Sequence, residues 1–189
     1  MEEECGNQNL SWKILQVGLR FNPLNENLFV KAVKVLEKLK RYTEIRKLLA
    51  ELSDVPLDKS WRILMEGALF EGRIGNRSGA RRAFKYLTDV CPTYGPIYLE
   101  SSKYEEKEAM IKEAVKITSD GLDNNPKYGP LWFQYLRLFE KSDSGLRQEL
   151  FDPLEMVIND MFVNVSRELE WKVTVEAAQS YDRLYCQPG

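Results

Sequence analysis

Four prolines divide this chain at nearly equal steps. Pro23, Pro56, Pro92 and Pro126 lie 33, 36 and 34 residues apart, and each is followed five or six residues later by a large aromatic: Phe29, Trp61, Tyr98 and Trp132. A proline disfavours helical backbone in the residue before it, so each of these positions ends one helix before the next begins. A fixed period near 34 residues is the spacing of an array of helical hairpins.

The period has other carriers. Tyr94-Gly95-Pro96 returns as Tyr128-Gly129-Pro130, 34 residues on. An aromatic–glutamate pair returns as Phe70-Glu71, Tyr104-Glu105 and Phe139-Glu140, at steps of 34 and 35. A longer echo sets Trp61-Arg62-Ile63 with Glu66, Ala68 and Arg73 against Trp171-Lys172-Val173 with Glu176, Ala178 and Arg183, all displaced by 110 residues, about three periods.

Apolar spacing is helical between these breaks. Residues 8–21 place Leu10, Ile14, Val17 and Phe21 on one stripe. Asn25 is placed to cap the next helix and Asp58 the fourth. Pro96 suits a first helical turn, where its missing amide has no partner to lose. Gly75-Asn76 reads as a helix stop, and later helices are expected over about 129–141, 146–162 and from Ser166 onward. The expected fold is all-α: a right-handed superhelix, or solenoid, of about five antiparallel helix pairs. A single hairpin cannot cover both its apolar faces, so each unit completes the core of its neighbour. Small residues, Ala68, Ala80, Ala83, Ala114 and Ala178, are expected where helices approach closely. Residues 1–189 read as one repeat domain. It opens on a lone helix and closes after an outgoing one, as a piece of a longer array would.

Composition narrows the chemistry. The chain has no histidine, which removes the commonest general base and metal ligand. Cys5, Cys91 and Cys186 are far apart and form no metal or disulfide spacing. No catalytic, cofactor-binding or metal site is expected. A net charge of −2 gives no global attraction to nucleic acid or anionic lipid. The acidic N-terminus is no secretory signal, and no apolar run has the roughly 18 residues a membrane span needs. An intracellular, reducing setting fits best, with no membrane partner.

The middle of the chain resembles HAT (half-a-tetratricopeptide) repeats. Leu131-Trp132 with Tyr135 and Phe139-Glu140 is similar to that family's outgoing helix. Gly75-Asn76 with Ala80-Arg81, Phe84 and Pro92 is similar to its return helix. Residues 25–52 have no glutamate at the family's place and read equally as a plain tetratricopeptide repeat. The resemblance implies a scaffold for protein subunits of RNA-processing assemblies (splicing, 3′-end formation or rRNA processing), hence a nuclear location. Homodimerisation and RNA contact are further implications of it.

Each recurring residue has a structural reading and a functional one. Trp61, Tyr98, Trp132 and Trp171 recur once per unit, the pattern of a packing core rather than of a stacking ladder. Glu71, Glu105 and Glu140 lie a repeat apart, roughly 10 Å. That is too far to share a substrate, so pairing with Arg or a backbone amide is expected. Arg73, Arg77, Arg81, Arg82 and Lys85 form a stretch uninterrupted by acid from Gly72 to Thr88. They are the candidate partner- or RNA-binding residues; the alternative is a solvated face neutralised by acids of adjacent repeats. The leading expectation is a non-enzymatic docking scaffold. Its rivals are a peptide-binding adaptor unrelated to RNA, with Arg62 and Lys172 as groove cations, and direct single-stranded RNA binding by the basic stretch.

Overall fold

The computed structural model describes residues 7–52, 55–142 and 151–186. The chain forms two compact units, Met1–Val90 and Cys91–Gly189. Among the described residues there are ten α-helices and no strand.

The first unit holds α1 (Gln8–Phe21), α2 (Glu26–Lys38), α3 (Tyr42–Ala50), α4 (Leu57–Arg73) and α5 (Arg77–Val90). Helix α2 packs on α1, α3 and α4, and α4 also packs on α3 and α5. One core runs through this unit, with Trp12, Phe29, Leu36, Ile45, Ile63 and Phe70 all buried. Burying side chains of this size contributes about 1.5–3 kcal/mol each. Asn25 caps α2 as expected, its Oδ1 accepting from the Leu28 amide at 3.0 Å. Helix α4 starts at Leu57 with Pro56 at its N-cap, so Asp58 stands inside the first turn and is not the cap.

Helix α1 turns a different face inward from the one expected. Trp12 and Leu19 are buried and Leu15 packs beside them, while Leu10, Ile14, Val17 and Phe21 are exposed. The helix carries two apolar stripes. Helical periodicity weighs them equally; the wider Trp12 stripe is the one that meets Phe29 and Leu36 in the core.

The second unit holds α6 (Gly95–Lys107), α7 (Ile111–Asn124), α8 (Gly129–Ser142), α9 (Phe151–Asn164), a 3-10 turn (Arg167–Leu169) and α10 (Glu170–Cys186). Helix α6 packs on α7 and α8, α7 on α8, and α8 on α9 and α10. The expected start of α9 near residue 146 lies outside the described residues. Tyr98, Trp132, Leu136, Leu154, Met161 and Val173 lie in this unit's core. Pro96 stands in the first turn of α6.

Hydrogen bonds hold one step of the proline series. The Trp132 indole N–H donates to the Pro126 carbonyl at 2.7 Å, joining that proline to the aromatic six residues on. The Asn125 side-chain amide donates to the Pro92 carbonyl at 2.9 Å, tying one inter-hairpin turn to the next. The turn between paired helices also repeats in α2–α3, α4–α5 and α6–α7. Lys40, Gly75 and Ala109 all have positive φ, at 57°, 82° and 60°. Beside each one the next amide closes a wide turn onto the helix before it: Arg41 on Leu36, Asn76 on Glu71 and Met110 on Glu105. By this register the place of Glu71 and Glu105 is taken in the first hairpin by Leu36, as the sequence comparison implied.

Three expectations about packing need correction. Trp171 is 66% exposed and is not a core residue. Val173, two positions on, faces inward, and two residues are about 200° of helix, so Trp171 faces out. Trp61 is only half-buried for the same reason, beside buried Ile63. Of the small residues, Ala68, Ala80 and Ala114 are fully buried, but Ala178 is exposed and Ala83 half-buried.

Candidate functional site

The basic stretch lies around α5. Arg77, Arg81 and Lys85 recur every four residues on this helix and are exposed. Lys85 pairs with Asp89 at 3.1 Å. Arg73 ends α4, and its guanidinium is held by acids of α2 and of its own helix. It donates to both Glu37 oxygens at 3.0 and 2.9 Å and to Glu66 at 2.7 Å. Arg82, the fifth candidate, borders a groove.

That groove lies between α3 and α5, over α4, with a volume of ≈ 370 Å³. Leu49, Leu64, Ala68, Ala83 and Leu87 give it apolar walls, and Tyr86, more than half exposed, stands at its edge. Four of the residues that α4 and α5 turn toward it are small, Gly67, Ala68, Gly79 and Ala83, which leaves the gap open between the larger ones. Its one carboxylate is Glu71. Arg46 grips Glu71 with two hydrogen bonds of 2.7 and 2.9 Å, and the Asn76 amide donates at 2.6 Å. The bond from Arg46 holds the Glu71 carboxyl below its ordinary value, against an upward push from burial, with Asn76 helping. Glu71 is therefore charged at neutral pH and already matched.

Glu140 accepts two bonds from Arg183, at 2.8 and 3.0 Å, and one from the Ser180 hydroxyl. Glu105 is buried. The sequence reading missed a larger set of contacts between the first helices of successive hairpins. In the first unit Arg62 of α4 bonds Glu26 of α2 at 2.9 Å, alongside the Arg73–Glu37 pair. In the second, Gln134 and Lys141 of α8 both donate to Glu106 of α6, and Arg137 bonds Glu176 of α10 at 2.6 Å. Burial pushes the Glu106 carboxyl up, and the Lys141 and Gln134 bonds outweigh it, leaving the group below its ordinary value. Within the 110-residue echo, Arg73 and Arg183 share this device, each bonding a glutamate on the first helix of the preceding hairpin. The signal was available: acid and base recur 35 to 43 residues apart, facing each other only once hairpins stack.

The two groove cations proposed for a peptide-binding adaptor are engaged in packing. Arg62 bonds Glu26 and lies 4.9 Å from the Trp61 ring centre. Lys172 lies 4.8 Å from that of Phe133. Among the described residues no group of His, Cys, Asp or Glu is placed to hold a metal ion. None of the described helices is long and apolar enough to cross a membrane.

Comparison with known proteins places this geometry in a family. The PRP6, TPR-like domain family matches residues 1–185. A TPR-containing protein of Dictyostelium discoideum is 44% identical over 183 residues, which is 97% of this chain and 14% of that protein. The chain thus spans a small part of the curated relative it matches. The crystal structure of MamA aligns with a TM-score of 0.50 at 10% identity, over 96% of this chain and 93% of that one. A second MamA crystal structure gives a TM-score of 0.49 at 11% identity, over all of this chain and 91% of that one. The likeness to the first is one of fold: an all-α TPR-like helical repeat.

Proposed function

We propose that this chain, which belongs to the PRP6 TPR-like domain family, is a non-enzymatic scaffold that docks protein subunits of an RNA-processing assembly in the nucleus. One observation supports the reading most. Helix pairs cross-linked by Arg–Glu contacts leave a preformed apolar groove open beside the cationic helix α5. A surface held in place by its own ion pairs binds without the entropy loss of ordering itself. The PRP6 name of the family is the support for RNA processing, and through it for a nuclear location; the step from fold to function is analogy. Residues 1–189 would act as one interaction module.

The exposed row Arg77, Arg81 and Lys85 supports a second reading, direct binding of single-stranded RNA. Such binding would weaken steeply with salt.

The test is affinity purification of the tagged chain from nuclear extract, with and without ribonuclease. The reading expects one set of RNA-processing proteins to survive nuclease and moderate salt. Loss of every partner on nuclease treatment would move the assignment to direct RNA binding. A partner set with no RNA link would move it to a peptide-binding adaptor.

A further inference from the structure

The groove between α3 and α5 is chemically lopsided. Its floor is apolar, its one acid is neutralised, and its cations are Arg46 and Arg82. Arg46 is taken by Glu71. Arg82 is exposed, and no ion-pair partner for it is found among the described residues. The volume, ≈ 370 Å³, lies at the small end of the roughly 300–1,000 Å³ usual for ligand sites. It suits a few side chains, not a folded surface. No residue of α2 lines the groove, so it does not belong to the face where α2 and α4 exchange Arg–Glu contacts.

We infer that this groove takes a short acidic–apolar peptide segment: one or two aliphatic or aromatic side chains over Leu64, Ala83 and Leu87, and an adjacent carboxylate on Arg82. The inference rests on the scaffold reading and names the chemistry of the partner. Charge complementarity chooses the segment. A basic segment would meet Arg82, and the one acid in the lining, Glu71, is already held by Arg46. An acidic one gains a charge-assisted, bidentate bond at a guanidinium that ends no other pair. RNA fits less well. Base stacking needs successive aromatic platforms, and Tyr86 is the one aromatic in the lining.

The experiment selects random 12-residue peptides displayed on phage against the 189-residue chain at low salt. Recovered peptides are then measured by fluorescence anisotropy against wild type, Arg82→Glu and Ala83→Leu. Arg82 is exposed, so its reversal should leave the fold intact, as circular dichroism will check. The expected outcome is enrichment of Asp or Glu beside Leu, Ile or Phe, with affinity falling about tenfold in Arg82→Glu, the loss of one charge-assisted contact. Ala83→Leu, which fills the groove, should lower it as well. Replacing the peptide carboxylate by lysine should restore binding to Arg82→Glu. Enrichment of basic or neutral peptides, no enrichment, or acidic peptides indifferent to Arg82→Glu would each overturn the inference. So would an oligouridylate that displaces the peptide and shows the same dependence on Arg82. The purification above is read separately: if its partner set is retained while peptide selection fails, this inference falls and the scaffold reading stands.

Discussion

The same substitution should have opposite effects at two helical glycines, because the added methyl meets different atoms. At Gly121 in α7 a Cβ would lie 2.7 Å from the Cβ of Tyr98 and 2.8 Å from its Cγ. The comfortable separation is about 3.5–4.0 Å, so the overlap is close to 1 Å. A Cβ is one bond from the backbone and cannot rotate aside; relief requires α6 and α7 to part. Overpacking costs about 1–3 kcal/mol, and a clash near 1 Å between two atoms fixed to backbone lies in the upper half of that range, about 2–3 kcal/mol, while replacing helical glycine by alanine returns about 1 kcal/mol. Gly121→Ala should therefore be net destabilising, by about 1–2 kcal/mol, or about 3–6 °C in melting temperature for a chain of this length. At Gly67 in α4 the Cβ would lie 2.8 Å from the two terminal methyls of Leu49. Those are the far end of a flexible side chain that lines the α3–α5 groove, with space to swing into. Here the propensity gain should prevail, and Gly67→Ala should be neutral or stabilising by up to about 1 kcal/mol. Thermal melts followed at 222 nm compare the three chains. A Gly121→Ala protein as stable as wild type, or a Gly67→Ala protein that loses as much, would refute the steric reasoning.

Two further predictions concern the turns and the acids. Ala109 holds a left-handed conformation at φ 60°, which costs a non-glycine residue about 1–2 kcal/mol. Ala109→Gly should stabilise by about 0.5 kcal/mol after the entropy glycine adds to the unfolded chain, and Gly75→Ala should destabilise although nothing lies within 4 Å of the new Cβ; urea unfolding measures both. The Glu71 and Glu106 carboxyls both titrate below their ordinary value of 4.5, so the unfolded chain binds those protons first. Their contribution is complete above about pH 5 and is lost as pH falls through the folded values. With no histidine, stability should be nearly flat from about pH 6 to 8, and Glu71→Gln should weaken the acid dependence; a urea midpoint that rises on acidification below pH 4.5 would contradict this.

Helix existence was legible because proline and cap residues act locally. Pro56, Asn25 and Pro96 each fix their own turn whatever the rest of the chain does. What escaped the sequence was set by neighbours. The choice between the two apolar stripes of α1 depends on which meets Phe29 of α2. The left-handed turns at Lys40 and Ala109 carry no glycine signal, and only Gly75 announces the shared geometry. Trp171 matches Trp61 in the echo, yet it falls on the outer side of its helix. The groove was invisible because it forms where small residues of two helices, Gly67 and Ala68 of α4 with Gly79 and Ala83 of α5, come together. The site residues divide in the same way. The sequence grouped Arg73 with the α5 cations by proximity along the chain, whereas three-dimensional packing gives it to Glu37 and Glu66.

The recurring residues bear on where specificity should be sought. Several recurring residues satisfy backbone groups or helix-to-helix charges: Trp132 on the Pro126 carbonyl, and Arg73 and Arg183 on acids of a preceding helix. Such tasks belong to the stacking of one hairpin on another, so residues suited to them recur. Aliphatic core positions need only volume and vary freely, which is why the period is faint there. A partner, by contrast, must be distinguished from other partners, and a surface identical in every unit would bind it in several registers. Discrimination therefore belongs to features that occur once. The uncompensated guanidinium of Arg82 beside an apolar gap is such a feature, and neither the proline series nor the 110-residue echo reproduces it. If Arg82→Glu and Ala83→Leu leave partner selection untouched while substitutions at exposed repeating positions redirect it, this division between framework and recognition is mistaken.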